Sequence, residues 1–432
     1  MKTSFFAIIL FFSVCQLFAK QTFNSVNEVW SFALKNNPQN NIYRLKIDSA
    51  EKNSNAAFSY IFPKISGGVS FQKNIEIPET PVPGELVGKP GQTAYLQFGQ
   101  KYNFNAALTI SKTLFDWQSR FLYKISEVNV QLRTAEKEYF EQTIKEQIAQ
   151  VYYAYLTADE AVKISYQDLA VSDTLLAIAK SRFNEGIIDS FVFNQAQINF
   201  NNSYEKLENS LQYQTEYLNS LKQLLGLKSF DKILLTENIS LNDQNIQKAI
   251  FLSKNKFTEL NRLQFDISKI EVSRAKSLFY PKFEIIHYFG GSQYQDKFKI
   301  NPAEWKPNQY TALSISVPIF TGFMNKSQYD IAIIEKQIAE QSYKDELRKS
   351  ELEDLNLSSA YSSSLKIAQT SKNTFIISQE NVKLAKQKYV QGIFALDDYL
   401  NVFDDYLIAE NKYLNNLSNY LINKATIDAR KE

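Results

Sequence analysis

Two hydrophobic periods alternate along this chain, and the alternation occurs twice. After a helical opening over residues 25–60, Ile65, Gly67, Val69 and Phe71 face one way while Ser66, Gly68, Ser70 and Gln72 face the other. Tyr102, Phe104, Ala106, Leu108 and Ile110 then alternate with Asn103, Asn105, Ala107, Thr109 and Ser111. A period of two with one apolar and one small or polar face predicts strands, here at about 64–73 and 101–112. A helical stretch at about 241–280 and strands at about 282–289 and 309–319 repeat the order. Polar loops, 74–100 and 290–308, separate the strands of each pair, and loops of that length are usually exposed or functional.

Beyond each strand pair the period changes to that of a helix. Phe121, Ile125, Val128, Leu132, Ala135 and Tyr139 are spaced alternately by four and three residues. The stripe resumes in shifted phase at Ile144, Ile148, Val151, Tyr155, Ala158 and Val162, the signature of a stutter in a coiled coil. A helix of some 65 residues would reach about 100 Å. Gly186 and Gly392 interrupt the two helical runs at equivalent points, and a second helix follows each, over 190–225 and from 396 to about 426. Glycine suits such a turn because it tolerates positive φ.

The residues themselves recur as well. Phe62-Pro63-Lys64-Ile65 returns as Tyr280-Pro281-Lys282-Phe283, with Pro281 lying 218 positions after Pro63. Phe32-Ala33-Leu34-Lys35-Asn36 returns as Phe251-Leu252-Ser253-Lys254-Asn255, and Ala107-Leu108-Thr109-Ile110-Ser111 as Ala312-Leu313-Ser314-Ile315-Ser316. Arg182-Phe183-Asn184-Glu185-Gly186 returns as Lys388-Tyr389-Val390-Gln391-Gly392. A repeat of this extent sets the architecture before any single residue does. It divides the chain into repeat 1 (20–226), a linker (227–245) and repeat 2 (246–432). Pro63 and Pro281 mark strand entry, since proline forces extended backbone on the residue before it.

Composition narrows the class. The 10 prolines all fall within 38–90 and 281–318, leaving two long proline-free stretches that favour long helices. Residues 1–19 have a basic start, a short apolar run and Ala19 at the end, which predicts a secretory signal cut after Ala19. The apolar run is too short to span a bilayer, and no comparable stretch follows. Cys15, the only cysteine, lies inside that leader, so neither a disulfide nor a thiolate metal site is expected. Val14 before it disfavours lipid attachment, which wants a small residue there. A net charge of +2 offers no footprint for nucleic acid. A lone His287 builds no metal site and is expected to pack in the strand layer. No nucleophile elbow, phosphate loop, calcium loop or zinc-protease motif occurs, so neither catalysis nor a cofactor is expected.

Four strands cannot close a barrel, and lipid cannot satisfy an open edge, so closure needs two or three chains. A soluble sandwich is the competing reading of the strands. The signal segment and the apolar-out, polar-in alternation favour an outer membrane over it.

The doubled order of helix, Pro-Lys strand, long loop, strand ending Leu114-Phe115-Asp116-Trp117 or Pro318-Ile319-Phe320-Thr321-Gly322, long helix and aromatic-x-x-Gly turn resembles the TolC-like outer-membrane efflux proteins. Thr113 stands where the second repeat has Pro318, so the two strand-to-helix corners are expected to differ. The resemblance implies an α+β membrane protein made mainly of long α-helical hairpins. Three chains would form a 12-stranded transmembrane β-barrel and a periplasmic α-barrel, with the linker in an equatorial belt. It implies an outer-membrane channel of a tripartite efflux or type I secretion system. Such a homotrimer is passive, and a periplasmic adaptor docks it to an inner-membrane pump.

The family's constriction would fall at the second tip. Tyr389 and Gly392 match the turn, Asp398 matches an acidic residue six positions after the glycine, and Asn401 stands where a second acid is common. Phe394 replaces a common basic residue, and Val192 takes the place of Asp398 in the first repeat. The competing reading has Asp397, Asp398, Asp404 and Asp405 on a solvated helix face. Asn184, Glu185, Gly186, Ile187, Gln391, Gly392 and Ile393 are the expected adaptor contacts, unless Ile187 and Ile393 simply close the helix ends. Tyr102, Phe104, Phe283 and Phe289 are candidates for interfacial girdles. The alternative class is a periplasmic coiled-coil adaptor or structural protein outside the membrane, which would show one helical hairpin flanked by β-rich halves.

Overall fold

A computed structural model describes residues 21–239, 241 and 255–431. The expected leader, residues 251–254 of the repeat, and part of the linker lie outside them. In chain order the elements are β1 (Gln21–Phe23), α1 (Val26–Asn36), α2 (Pro38–Phe58), β2 (Lys64–Lys73), β3 (Glu79–Pro83), β4 (Thr93–Gln97), β5 (Tyr102–Phe115), α3 (Trp117–Asn184) and α4 (Ser190–Leu225). There follow β6 (Ile233–Leu235), α5 (Lys256–Lys276), β7 (Lys282–Gln295), β8 (Lys306–Ser316), α6 (Met324–Val390) and α7 (Leu396–Lys431). The chain divides into two compact units.

The first unit, Lys46–Thr134 with Leu260–Lys344, holds a four-stranded antiparallel sheet in the order β2-β5-β7-β8. Entry to the sheet is the same in both repeats. A short 3-10 turn, Ser59–Ile61 or Ser277–Phe279, leads to an extended aromatic residue at φ −91°, then proline, then strand. Residues paired across antiparallel strands share a face, so the registers sort the side chains. Ile65, Val69, Leu108, Ile110, Ile285, Leu313 and Ile315 lie on one face, and Ser66, Ser70, Asn105, Thr109, Ser292 and Ser314 on the other. Strands β2 and β8 are outer edges with no strand beside them among the described residues.

Aromatic side chains mark both ends of the apolar face. Phe71 and Phe104 meet at 5.1 Å, and Phe298, from the connection between β7 and β8, packs on both at 5.3 and 5.7 Å. At the other end Phe115 meets Phe283 at 6.4 Å and Trp117 at 6.1 Å. Of the expected girdle residues, Tyr102 and Phe104 sit in the first group and Phe283 in the second, while Phe289 lies between them. His287 also lies on this face, its Nδ1 2.9 Å from Thr311 Oγ1.

The connections within the strand pairs are more ordered than their polarity suggests. Residues 74–100 contain the β3–β4 hairpin, and Pro81 and Pro83 are tolerated there because β3 pairs on one side only. Strand β7 runs through Gly290-Gly291 to Gln295 instead of stopping at 289. These glycines do not break the strand: Tyr288 covers Gly290, and the Trp305 indole covers Gly291. The corners differ as well. With Thr113 in place of proline, β5 bulges and pairs to Phe115, and Asp116 then accepts the Gln118 N–H at 3.0 Å; β8 ends at Ser316, before Pro318.

The second unit gathers the remaining described parts of α1, α3, α4, α6 and α7. Its larger apolar cluster includes Val29, Trp30, Ile148, Tyr152, Leu221 and Leu417. Trp30 donates its indole N–H to the Lys145 carbonyl at 2.9 Å. Strands β1 and β6 pair in parallel, and Tyr152 O–H donates to Glu237 at 2.8 Å, which ties the linker to α3. Asn37 and Asn255 start α2 and α5 in the same way, each Oδ1 accepting the N–H two residues on. The structural match is thus Asn37 with Asn255, which keeps the proline offset, rather than Asn36 with Asn255.

Candidate functional site: the paired hairpin tips

The two helical turns are copies in detail. Gly186 and Gly392 have φ of 71° and 73°, which favours glycine at both. Gly186 N–H donates to the Phe183 carbonyl and Gly392 N–H to that of Tyr389, both at 3.0 Å. Ile187 N–H reaches the Arg182 carbonyl at 2.9 Å and Ile393 N–H that of Lys388 at 2.8 Å. This is a Schellman closure, which satisfies the last carbonyls of α3 and α6. Behind each turn an aromatic pair stacks, Phe183 on Phe193 at 5.2 Å and Tyr389 on Tyr399 at 5.8 Å.

Differences between the copies carry the chemistry. Asp189, the N-cap of α4, accepts the Val192 N–H at 3.0 Å. At the equivalent place Ala395 has no side-chain acceptor, and Asp398 Oδ2 accepts the Ala395 N–H at 3.1 Å instead. Each tip thus holds one half of a capping box, and the halves are opposite. Replacement of Asp398 by Val192 in the first copy is explained locally by which end of the box supplies the carboxylate. Asp398 and Asn401 are both exposed, one turn apart on α7.

Tyr389 is not a surface residue. It is 9% exposed, its hydroxyl has no hydrogen-bond partner among the described residues, and the Arg182 guanidinium lies 4.9 Å from its ring centre. Burial raises its phenol pKa, against the opposing Arg182 charge. This cation–π contact joins the end of α3 to the end of α6, one hairpin to the other. Lys388, the repeat counterpart of Arg182, instead lies 4.7 Å over Phe394 within its own tip.

Asn184, Glu185, Gly186, Gln391 and Gly392 are exposed. Ile187 and Ile393 are 62% and 66% exposed. Phe191 and Val390, near the same turns, are also exposed, at 70% and 77%, and were not anticipated from the sequence.

A charged group farther along the same helices was also missed. Lys206 of α4 bridges Asp168 of α3 at 2.9 Å and Glu410 of α7 at 2.7 Å. Its signal was available: Ser165, Asp168 and Ser172, and Asn199, Ser203, Lys206 and Ser210, put polar residues at the three-and-four spacing normally occupied by core side chains.

A half-apolar sheet with open edges joined to two matched helical hairpins defines a class of membrane channel subunit. A sequence model of the outer membrane efflux protein family matches residues 29–227 and 271–429, most of the chain, and the chain belongs to that family. No curated protein matches by sequence. Among solved structures, the CmeC outer membrane channel of Campylobacter jejuni is similar at 17% identity and a TM-score of 0.79, over 94% of this chain and 85% of that one. VceC of Vibrio cholerae is similar at 15% identity and 0.71, over 94% of both chains. The MtrE outer membrane channel of Neisseria gonorrhoeae, in an open state, is similar at 15% and 0.73, over 94% and 88%. The protein is an outer-membrane efflux channel component, and its two matched hairpins, each preceded by a strand pair, are not the pattern of the periplasmic adaptor.

Proposed function

We propose that three copies of this chain close a 12-stranded barrel in the outer membrane and conduct solutes passively, without catalysis, from an inner-membrane pump. The observation that carries this reading is the sheet with two open edges and one apolar face. In lipid, the unpaired backbone groups of β2 and β8 need partners, which a neighbouring copy supplies. The aromatic groups fit such a barrel. From Phe104 to Phe115 there are roughly 11 residues of strand at about 3.4 Å each; tilted by about 40°, they rise about 28 Å, close to the apolar band of membrane barrels. The polar face, with Ser66, Asn105, Thr109 and Ser314, would then line the lumen.

The tips are read as the periplasmic end. Exposed Ile187, Phe191, Val390 and Ile393, with Asn184, Glu185, Gly186, Gln391 and Gly392, form the surface offered to an adaptor. Three Asp398 carboxylates would ring the constriction, with Asn401 leaving the next turn uncharged and Tyr389 fixing the hairpin behind it. In outer-membrane extracts the expected species is a trimer that heating dissociates; a monomer, or a protein found only in the soluble fraction, overturns the assembly. In planar bilayers Asp398→Asn, which keeps a cap acceptor and removes the charge, is expected to lower cation preference. Unchanged selectivity removes Asp398 from the constriction.

A further inference from the structure

Within the helical unit, two apolar clusters on the same helices are interrupted by a polar layer. Nearer the glycine turns lie Leu175, Ala196, Leu400 and Phe403, and beyond the layer lie Ile148, Tyr152, Leu221 and Leu417. At the layer's centre Lys206 Nζ meets Asp168 Oδ2 at 2.9 Å and Glu410 Oε2 at 2.7 Å, and Tyr406 O–H donates to Glu410 Oε1 at 3.0 Å. The Asp168 and Glu410 side chains are 4% and 1% exposed. Two carboxylates thus share one ammonium, which leaves one excess negative charge out of water when both are ionised. Beside them Asn199 Nδ2 and Ser203 Oγ are buried without partners among the described residues. Such a layer costs little to separate compared with the apolar clusters on either side.

The elements joined belong to different hairpins. Asp168 and Lys206 are on α3 and α4, Glu410 and Tyr406 on α7. Any movement that parts α7 from the first hairpin must break the contact between Lys206 and Glu410. A cavity of about 290 Å³ on the other side of Glu410 brings Glu160 of α3, Phe375 of α6 and Tyr413 of α7 near it. Glu160 is itself engaged by Lys163 at 3.2 Å.

We propose that Asp168, Lys206 and Glu410 form a proton-sensitive clamp that holds the first hairpin against α7 with one proton bound and loosens as that proton leaves. Burial is the main cause: it pushes the Glu410 carboxyl up to about 7, with Asp168 adding to the shift and Lys206 opposing it. Burial draws the Lys206 ammonium down, but the two carboxylates outweigh it and hold it charged. Burial, then Glu410 and Asp168, keeps the Tyr406 phenol protonated. A carboxyl at about 7 when packed and at its ordinary 4.5 when solvated contributes stability that is complete below 4.5 and is lost as pH rises through 7. Between pH 6 and pH 8 the packed arrangement becomes about tenfold less favoured. The clamp's bearing on conduction rests on the channel reading; its existence does not.

Asn202 and Asn411 are exposed and line the groove between α4 and α7, so Asn202→Cys and Asn411→Cys in a Cys15→Ser background place spin labels across the clamp. In the full-length protein in detergent, raising the pH from 6 to 8.5 is expected to shift the ratio of short to longer inter-label distances by about tenfold, with the midpoint of the whole pH response at or below about 7. Glu410→Gln should hold the short distance at both pH values. Asp168→Asn, which leaves burial in place and removes the Asp168 charge that adds to the Glu410 shift, should move the midpoint to lower pH. Identical distributions at the two pH values, an unaltered response in Glu410→Gln, or an unmoved midpoint in Asp168→Asn overturns the clamp. Distances are read whether or not the protein conducts, so failure in bilayers overturns only the channel reading.

Discussion

Replacing Lys206 with methionine tests the buried charge cluster of the helical unit directly. Methionine keeps most of the stem that packs along α4 and removes only the ammonium. What remains is Asp168 and Glu410, both nearly excluded from water, with no cation between them. Breaking a buried ion pair from one side typically costs about 3–5 kcal/mol, because the surviving charge stays desolvated. Here the acids can escape by taking up protons, so the cost depends on pH. It is expected near the lower end at pH 6, where Glu410 is largely neutral, and near the upper end at pH 8.5. At about 2–4 °C per kcal/mol for a unit of roughly 200 residues, the midpoint of thermal unfolding should fall by about 10 °C at neutral pH. Loss of helical ellipticity on heating in detergent measures this. Lys206→Met with Glu410→Gln should recover part of the loss, since only Asp168 then stays charged. A midpoint within 2 °C of the parent at pH 8.5, or a loss that shrinks as pH rises, refutes the argument.

Other substitutions test the remaining elements. Asp189→Ala removes the acceptor for Val192 N–H and should cost about 0.5–2 kcal/mol, seen as faster amide exchange through the first turn of α4; unaltered exchange would exclude the cap. Gly226→Ala forces an L-residue into φ 70° and drives a methyl to 2.8 Å from Pro38 Cδ and 2.9 Å from the Asn36 carbonyl. Left-handed backbone at about 1–2 kcal/mol plus overpacking at about 1–3 kcal/mol predicts a clear drop in thermal midpoint, and a neutral variant would contradict that close approach. Tyr389→Phe removes a buried hydroxyl that lacks a partner among the described residues, so it should be neutral or stabilising by up to about 1 kcal/mol. Arg182→Ala should instead lose about 0.5–1 kcal/mol of cation–π attraction, and the reverse ranking of these two in thermal unfolding would refute the tip geometry.

Much of the fold was legible because the periods are clean. The four long strands, the aromatic-proline entries and the glycine turns follow from local rules, and Pro63 and Pro281 stand where a helix must give way to a strand. Local rules erred where a neighbour overrode them. Gly290-Gly291 reads as an end of β7, yet the strand continues because Tyr288 and Trp305 cover the missing side chains. Residues 74–100 read as loop, yet two short segments pair as β3 and β4, since each needs only the other. At the tips, sequence located the turns, their doubling and the exchange of Asp398 for Val192, but not what that exchange does locally. The hydrogen bonds show a capping box split between the copies, a distinction of about one carboxylate position that composition cannot reveal.

By itself the sequence determined the doubled plan, the alternation that gives the sheet one apolar face, and the turns that fold each helical run back, because each depends on residues a few positions apart. Only the tertiary structure decided which charges meet. Asp168, Lys206 and Glu410 lie 38 and 204 residues apart. Each alone reads as an ordinary exposed side chain on a helix. Packing three helices together removes their water, and that desolvation turns three surface charges into one buried, proton-binding group.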